Sequence, residues 1–143
     1  MPIPFLAPGA KLGLSNIITI AAIYILGTFD ALIILTLRIM LSAIFVGSPM
    51  VILFSITGGL LSFMSMIICK RFEKFSIIGV SAAGGFFHNL GQIVVAIFVM
   101  SSQKIINYLP VLGICGIFTG IIIGIIAMET IKRIKNWSLD NEL

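Results

Sequence analysis

Apolar residues in this chain come in long unbroken runs, and the breaks between runs are marked by proline, glycine and charge. Residues 1–13 hold Pro2, Pro4, Pro8, Gly9 and Gly13, which predicts a loop. A first apolar run covers about 14–28 and ends at Gly27-Thr28-Phe29-Asp30. A second covers about 31–47 and is interrupted only by Arg38. Gly47-Ser48-Pro49 closes it, because proline disfavours helix in the residue before it. The third run, about 50–69, stops at Cys69-Lys-Arg-Phe-Glu-Lys74. The fourth, about 76–100, contains the polar patch His88-Asn-Leu-Gly-Gln92. A polar loop, Ser101 to Pro110, leads to a fifth run over about 111–131 and then to a basic, polar tail, 132–143.

A helix that crosses a bilayer needs about 20 apolar residues. The pattern therefore predicts an all-α integral membrane protein, a single bundle of about five transmembrane helices, the first of them short. Composition agrees. The 143 residues are 59% hydrophobic and 10% charged, with a mean hydropathy of +1.23. Soluble domains carry about 25% charged residues, and a globule with so few could not cover its surface. Disordered and disulfide-scaffold chains are excluded by the same figures.

The net charge is +4, but the basic residues stand at the ends of apolar runs, as in Lys70-Arg71-Lys74 and Lys132-Arg133-Lys135. Such placement is the signature of membrane topology rather than of nucleic-acid binding. The two clusters are two spans apart, so both predict a cytoplasmic side, with a cytoplasmic C-terminus in a multi-pass cell-membrane protein. Counting backwards puts the 47–49 turn outside, the 28–30 turn inside and the Lys11 loop outside. No signal peptide precedes that loop. The expectation is a further helix normally placed before Met1; a re-entrant hairpin over 14–47 is the alternative.

Few residues are candidates for chemistry. Gly116, Gly120 and Gly124 form a tandem GxxxG that lets another helix approach backbone to backbone, either within this chain or on a partner subunit. Arg38 lies midway along its run, where a charge must face protein or water. Eight residues of helix rise, about 12 Å, separate it from Asp30. It is either a strained structural partner of that acid or an anchor for an anionic or carbonyl group of a solute. His88, Asn89 and Gln92 are spaced as neighbours on one helical face. They make interhelical hydrogen bonds or form the polar wall of a ligand cavity. Cys69 and Cys115 have no metal-ligand spacing, and neither a metal nor a cofactor is expected. Paired carboxylates, phosphate-binding loops, nucleophile elbows and aspartate-rich prenyl-transfer motifs are all missing from the sequence, which argues against an enzyme.

Taken together, Pro8-Gly-Ala-Lys-Leu-Gly-Leu-Ser-Asn16, Arg38, Ser55-Ile-Thr-Gly-Gly-Leu-Leu-Ser62, Ile78-Gly-Val-Ser-Ala-Ala-Gly-Gly85 and His88-Asn-Leu-Gly-Gln92 resemble the bacterial Gx transporter family, often labelled heptaprenyl diphosphate synthase component I. The resemblance covers about residues 7–130. That family is similar to the substrate-binding S-components of energy-coupling factor (ECF) transporters, small six-helix proteins that capture a vitamin-like solute and dock on an ATP-driven module. The resemblance implies a six-helix design lacking its first helix here, with the Lys11 loop closing over an external-facing site. The expected substrate-binding residues are Lys11, Asn16, Arg38, His88, Asn89 and Gln92. The expected partners are the lipid bilayer, a small aromatic or isoprenoid-like solute and an energy-coupling module or other membrane subunits. The family label keeps a second function open, that of a non-catalytic membrane subunit in heptaprenyl diphosphate or menaquinone synthesis.

Overall fold

The computed structural model describes residues 6–141, with side chains described from Asn16 to Asp140 other than Val46. Its helices are α1 (Leu6–Ile25), α2 (Thr28–Val46), α3 (Pro49–Arg71), α4 (Ile77–Met100) and α5 (Leu109–Asn141), with a 3₁₀ turn at Gln103–Tyr108 before α5. No strand occurs among the described residues. Helices α2 to α5 are each long and apolar enough to cross a bilayer, and the 20 residues of α1 span about 30 Å. The chain is a multi-pass membrane bundle.

Two boundaries differ from the sequence expectation. The loop predicted over 1–13 is helical from Leu6 onward, and its earlier residues lie outside the described part. Pro8 falls in the first turn, where its missing N–H is one that no helix bond would use. At the other end, α5 runs through the basic cluster to Asn141 instead of stopping near residue 131.

Local chemistry explains the remaining ends. Gly27 at φ 109° and Gly47 at φ 64° adopt the positive backbone angle that glycine reaches without a Cβ clash, so each ends one helix and begins a tight reversal. The Gly47 N–H bonds the Ala43 carbonyl at 2.9 Å. Pro49 then opens α3, and Ser76 caps α4 by accepting from the Gly79 N–H at 3.2 Å. These reversals make consecutive helices antiparallel. One end of the bundle, the basic end, gathers the 26–27 turn, the loop 72–76 and the end of α5. It carries Lys70, Arg71, Lys74, Lys132, Arg133 and Lys135, whereas Lys104 lies at the opposite end.

Helix α4 sits between α3 and α5, α1 lies against α5 and α2, and α2 closes the ring on α3. The α4–α5 seam is the closest. A Cβ on Gly116 would lie 2.6 Å from the Gly85 carbonyl oxygen, and one on Gly120 would lie 2.6 Å from the Ser81 carbonyl oxygen. A Cβ on Gly124 would meet the Ile78 Cα at 2.7 Å. Small-residue packing of this kind replaces the hydrophobic effect, which has no grip between helices already in lipid. Of the two readings left open for the Gly116, Gly120 and Gly124 face, the structure shows packing within the chain, against α4.

On the α3 side, Gly91 brings α4 against the Thr57 carbonyl and the Gly58 Cα, at 2.8 and 2.9 Å from a Cβ that alanine would add. Lys70, in the last turn of α3, ties the basic end together. Its ammonium donates to the Ile23 carbonyl at 2.5 Å and lies 4.7 Å from the centre of the Tyr24 ring. A cation there satisfies a carbonyl that the end of α1 leaves without an intrahelical partner.

A stability series tests the seam. Gly116→Ala should lower the thermal unfolding midpoint in detergent, at a cost of about 1–3 kcal/mol, because two backbones must separate. Gly79→Ala should be neutral or gain up to about 1 kcal/mol, since a Cβ at Gly79 has ordinary contacts, the nearest at 3.4 Å. Equal midpoints for the two variants by circular dichroism would refute the backbone-contact account.

Candidate functional site

Two glycines in the middle of α3 organise the site. Gly59 faces α2: a Cβ there would meet Leu35 Cδ1 at 3.3 Å, Ile39 Cδ1 at 3.5 Å and Arg38 Nη2 at 4.0 Å. Gly58, the next residue, faces α4, where a Cβ would lie 3.0 Å from both the His88 Cε1 and the His88 carbonyl oxygen. Arg38 and His88 therefore come from different helices onto adjacent positions of one backbone. By helix rise, Arg38, Gly59 and His88 lie about 15, 18 and 16 Å from the basic end, which is mid-bilayer depth. The guanidinium is near enough to the imidazole for their charges to interact.

The half-buried Arg38 donates from Nη1 to the Thr19 hydroxyl at 3.2 Å. Thr19 is 2% exposed and Asn16, one turn away on the same α1 face, is 4% exposed. Asp30 makes no ion pair among the described residues; Lys132–Glu129, at 3.8 Å, is the pair found there. The structural pairing of Arg38 with Asp30, left open by the sequence, is thus replaced by a neutral hydroxyl partner on α1.

His88 is 4% exposed. Its Nε2 lies 3.2 Å from the Gln92 side-chain nitrogen, one helical turn along. With that amide nitrogen donating, Nε2 is the acceptor and the imidazole proton resides on Nδ1. Nδ1 is buried against the Gly58 backbone, its nearest acceptor, but falls short of good hydrogen-bond geometry there. A buried N–H so weakly satisfied is costly, and its presence in a membrane interior needs an account.

The expected site residues divide. Arg38, His88 and Gln92 belong to one polar region on α2 and α4, joined to α1 through Thr19, with Asn16 buried one turn from Thr19 and Ser55 buried one turn from Gly58 and Gly59. Asn89 does not join them. It points the other way and donates from Nδ2 to the Leu112 carbonyl at 2.6 Å, binding α4 to α5. Adjacent residues of a helix differ by about 100° in direction, and α4 has a neighbour on each side, so 88 and 89 serve different seams. The backbone of Lys11 lies within α1, and its side chain falls outside the described residues. Sequence reading passed over Thr19; its signal was the i, i+3 spacing from Asn16.

Below this region, toward the basic end, the interior is mainly apolar. Ile20, Ile23, Ala31, Leu35, Met66, Val80 and Ala127 are at most 1% exposed and pack together. Two buried serines, Ser62 and Ser81, sit in that half, their side chains facing the glycine positions Gly84 and Gly124. The polar region is thus sealed by packed hydrocarbon from the basic end, and lies in the half of the bundle facing the other way. Chemically, its described side chains are donors and neutral hydroxyls and amides, with no carboxylate among them. Among the described residues no cluster of metal ligands is found.

Residues 1–130 match the family model described as heptaprenyl diphosphate synthase component I. No curated protein and no solved structure matches the chain. With nearly the whole of its length matched, the chain belongs to the heptaprenyl diphosphate synthase component I family.

Proposed function

We propose that this chain is a solute-capturing membrane subunit, akin to the S-components of energy-coupling factor transporters, and that it takes an apolar molecule with one anionic or carbonyl end. The observation that carries the reading is the pair of nitrogen-bearing side chains at mid-bilayer depth: the Arg38 guanidinium on Thr19 and the His88 imidazole buried against the Gly58 backbone. Both can donate to an acceptor that a solute brings, and Arg38 forms no ion pair with a described carboxylate. Charge-assisted hydrogen bonds are the stronger kind, and here they would act in a poorly solvated interior. The apolar walls around Arg38, with Leu35 and Ile39 at Gly59, favour an aromatic or isoprenoid-like body for the rest of the solute. Uptake would then depend on other membrane subunits or an ATP-driven module. The chain itself would perform no chemistry.

The family description favours a second reading, a non-catalytic membrane subunit that assists heptaprenyl diphosphate synthesis. Both readings share the ligand chemistry. They part in assay: a carrier moves its ligand into proteoliposomes when the energising subunits are present, whereas an accessory subunit changes the rate or product length of a prenyl synthase.

Native mass spectrometry of protein purified from its own membranes, looking for a co-purified small molecule, tests the site directly. Arg38→Ala and His88→Ala should each weaken retention of that molecule about tenfold or more, the loss of a charge-assisted or buried hydrogen bond. Asn89→Ala should keep the molecule and instead lower the unfolding midpoint, since its amide serves the α4–α5 seam. Normal retention by both Arg38→Ala and His88→Ala would sink the site assignment.

The orientation proposed with this function places the basic end in the cytoplasm, so that the polar half faces outward. Six basic residues at that end against Lys104 at the other, among those with described side chains, support it. Single cysteines at Ser48 and at Lys74, in a background with Cys69 and Cys115 replaced, give the check. A membrane-impermeant maleimide added to whole cells should label the first and spare the second. The reverse pattern would invert the bundle.

A further inference from the structure

A groove separate from the polar region runs along the outside of the bundle between α1, α2 and α5. It has a volume of about 390 Å³ and is walled by Ile17, Ala21, Leu26, Ile34, Thr130 and Ile134, among others. Thr130 is its one polar wall residue, and that hydroxyl is already bonded to the Ile126 carbonyl at 2.9 Å. The groove therefore offers a ligand nothing but hydrocarbon. From Ile17 to Leu26 it extends roughly 13 Å along α1, from near mid-bilayer to the basic end.

Two ammonium groups stand where the groove reaches that end. Lys70 is fixed on the Ile23 carbonyl in the last turn of α1, beside the wall residues Ile25 and Leu26. Lys135 follows Ile134, the last wall residue of α5, and is close enough to Lys70 for the two charges to repel. Neither takes part in an ion pair among the described residues. Two cationic side chains on neighbouring helices at one membrane surface, neither in an ion pair among the described residues, with an apolar groove leading away from them, complement a molecule with an anionic head and a hydrocarbon tail.

We propose that this groove binds an anionic glycerophospholipid of the leaflet at the basic end, its acyl chain between α1, α2 and α5 and its phosphate on Lys70 and Lys135. Anionic lipids are abundant in the cytoplasmic leaflet, and basic residues at its surface attract them. The bound lipid would supply the packing that α1, α2 and α5 leave unfilled here, and would offset the repulsion between the two lysines.

The test uses the full chain, delipidated and reconstituted into nanodiscs of equal phosphatidylglycerol and phosphatidylcholine, then released for native mass spectrometry. Phosphatidylglycerol should be retained in preference to phosphatidylcholine. Lys135→Gln should reduce that preference about fivefold, the worth of one interfacial lysine, without disturbing the Lys70–Ile23 tie. Ala21→Trp, which fills the groove and leaves both lysines, should abolish retention of either lipid. Equal retention of the two lipids by the native chain, or unchanged phosphatidylglycerol retention in both variants, overturns the proposal. So does displacement of phosphatidylglycerol by an equimolar isoprenoid diphosphate, which would make the groove an isoprenoid site.

Discussion

The backbone contact that α4 makes on both of its sides is the constraint on which the rest of this bundle depends. Between helices in lipid there is little to gain from burying one apolar side chain against another, because the hydrocarbon outside is just as apolar. What remains is close approach, and α4 obtains it by presenting Gly84 and Gly91 to α3 and Ser81 and Gly85 to α5. Each seam is matched from the other side, by Gly58 on α3 and by Gly116, Gly120 and Gly124 on α5. Because the contacts at Gly58, Gly85, Gly91, Gly116, Gly120 and Gly124 reach backbone atoms, they fix the axial register of three helices to within a fraction of a turn. The depth of His88 relative to α3 follows from that register, and so does its seat on Gly58.

The same register divides the interior into two unlike halves. Toward the basic end, large side chains such as Ile20, Ile23, Leu35 and Met66 fill the space between helices. One turn beyond Leu35 the filling changes to Arg38, Thr19, Asn16 and His88. A half-buried cation and a buried, poorly satisfied imidazole cost free energy in a bilayer interior. A purely structural bundle would do better with leucine at these places. The cost is concentrated in one half, over an apolar seal, and that asymmetry is the form a one-sided binding site takes.

Much of this was legible in the sequence because membrane helices announce themselves by length and hydropathy. The breaks at Gly27 and Gly47 set helix ends within a few residues. Where the reading erred, a local rule met a context it does not describe. Pro8 counted toward a loop, yet a proline in a first turn costs a helix nothing. His88, Asn89 and Gln92 satisfied the spacing rule for one face, but that rule is blind to how many neighbours a helix has. With α3 and α5 on opposite sides of α4, a difference of one residue sends Asn89 to Leu112 and His88 to Gly58. The Arg38–Thr19 bond was beyond reach for another reason. It joins residues 19 apart on two antiparallel helices, and only the reversal at Gly27 brings them level.

The placement of Arg38 on α2 is itself informative. This is the least enclosed helix, with 11% of its apolar window buried against 33% or more for α3, α4 and α5. Phe29, Ile44 and Phe45 are each at least 74% exposed to the surroundings. Local stability follows the density of buried contacts, so α2 is the element most weakly held by the rest. Its ties across the bundle are the approach at Gly59, the apolar packing of Ala31 and Leu35, and the Arg38–Thr19 bond. A molecule that presents an acceptor to Arg38 would therefore strengthen the bundle where it has least to lose and most to gain. Differential stabilisation of one arrangement over another is the sole means by which a ligand can shift a conformational equilibrium. An anchor on a weakly held helix couples capture to movement of that helix, whereas the same arginine on α4, locked by glycine on two sides, could only bind.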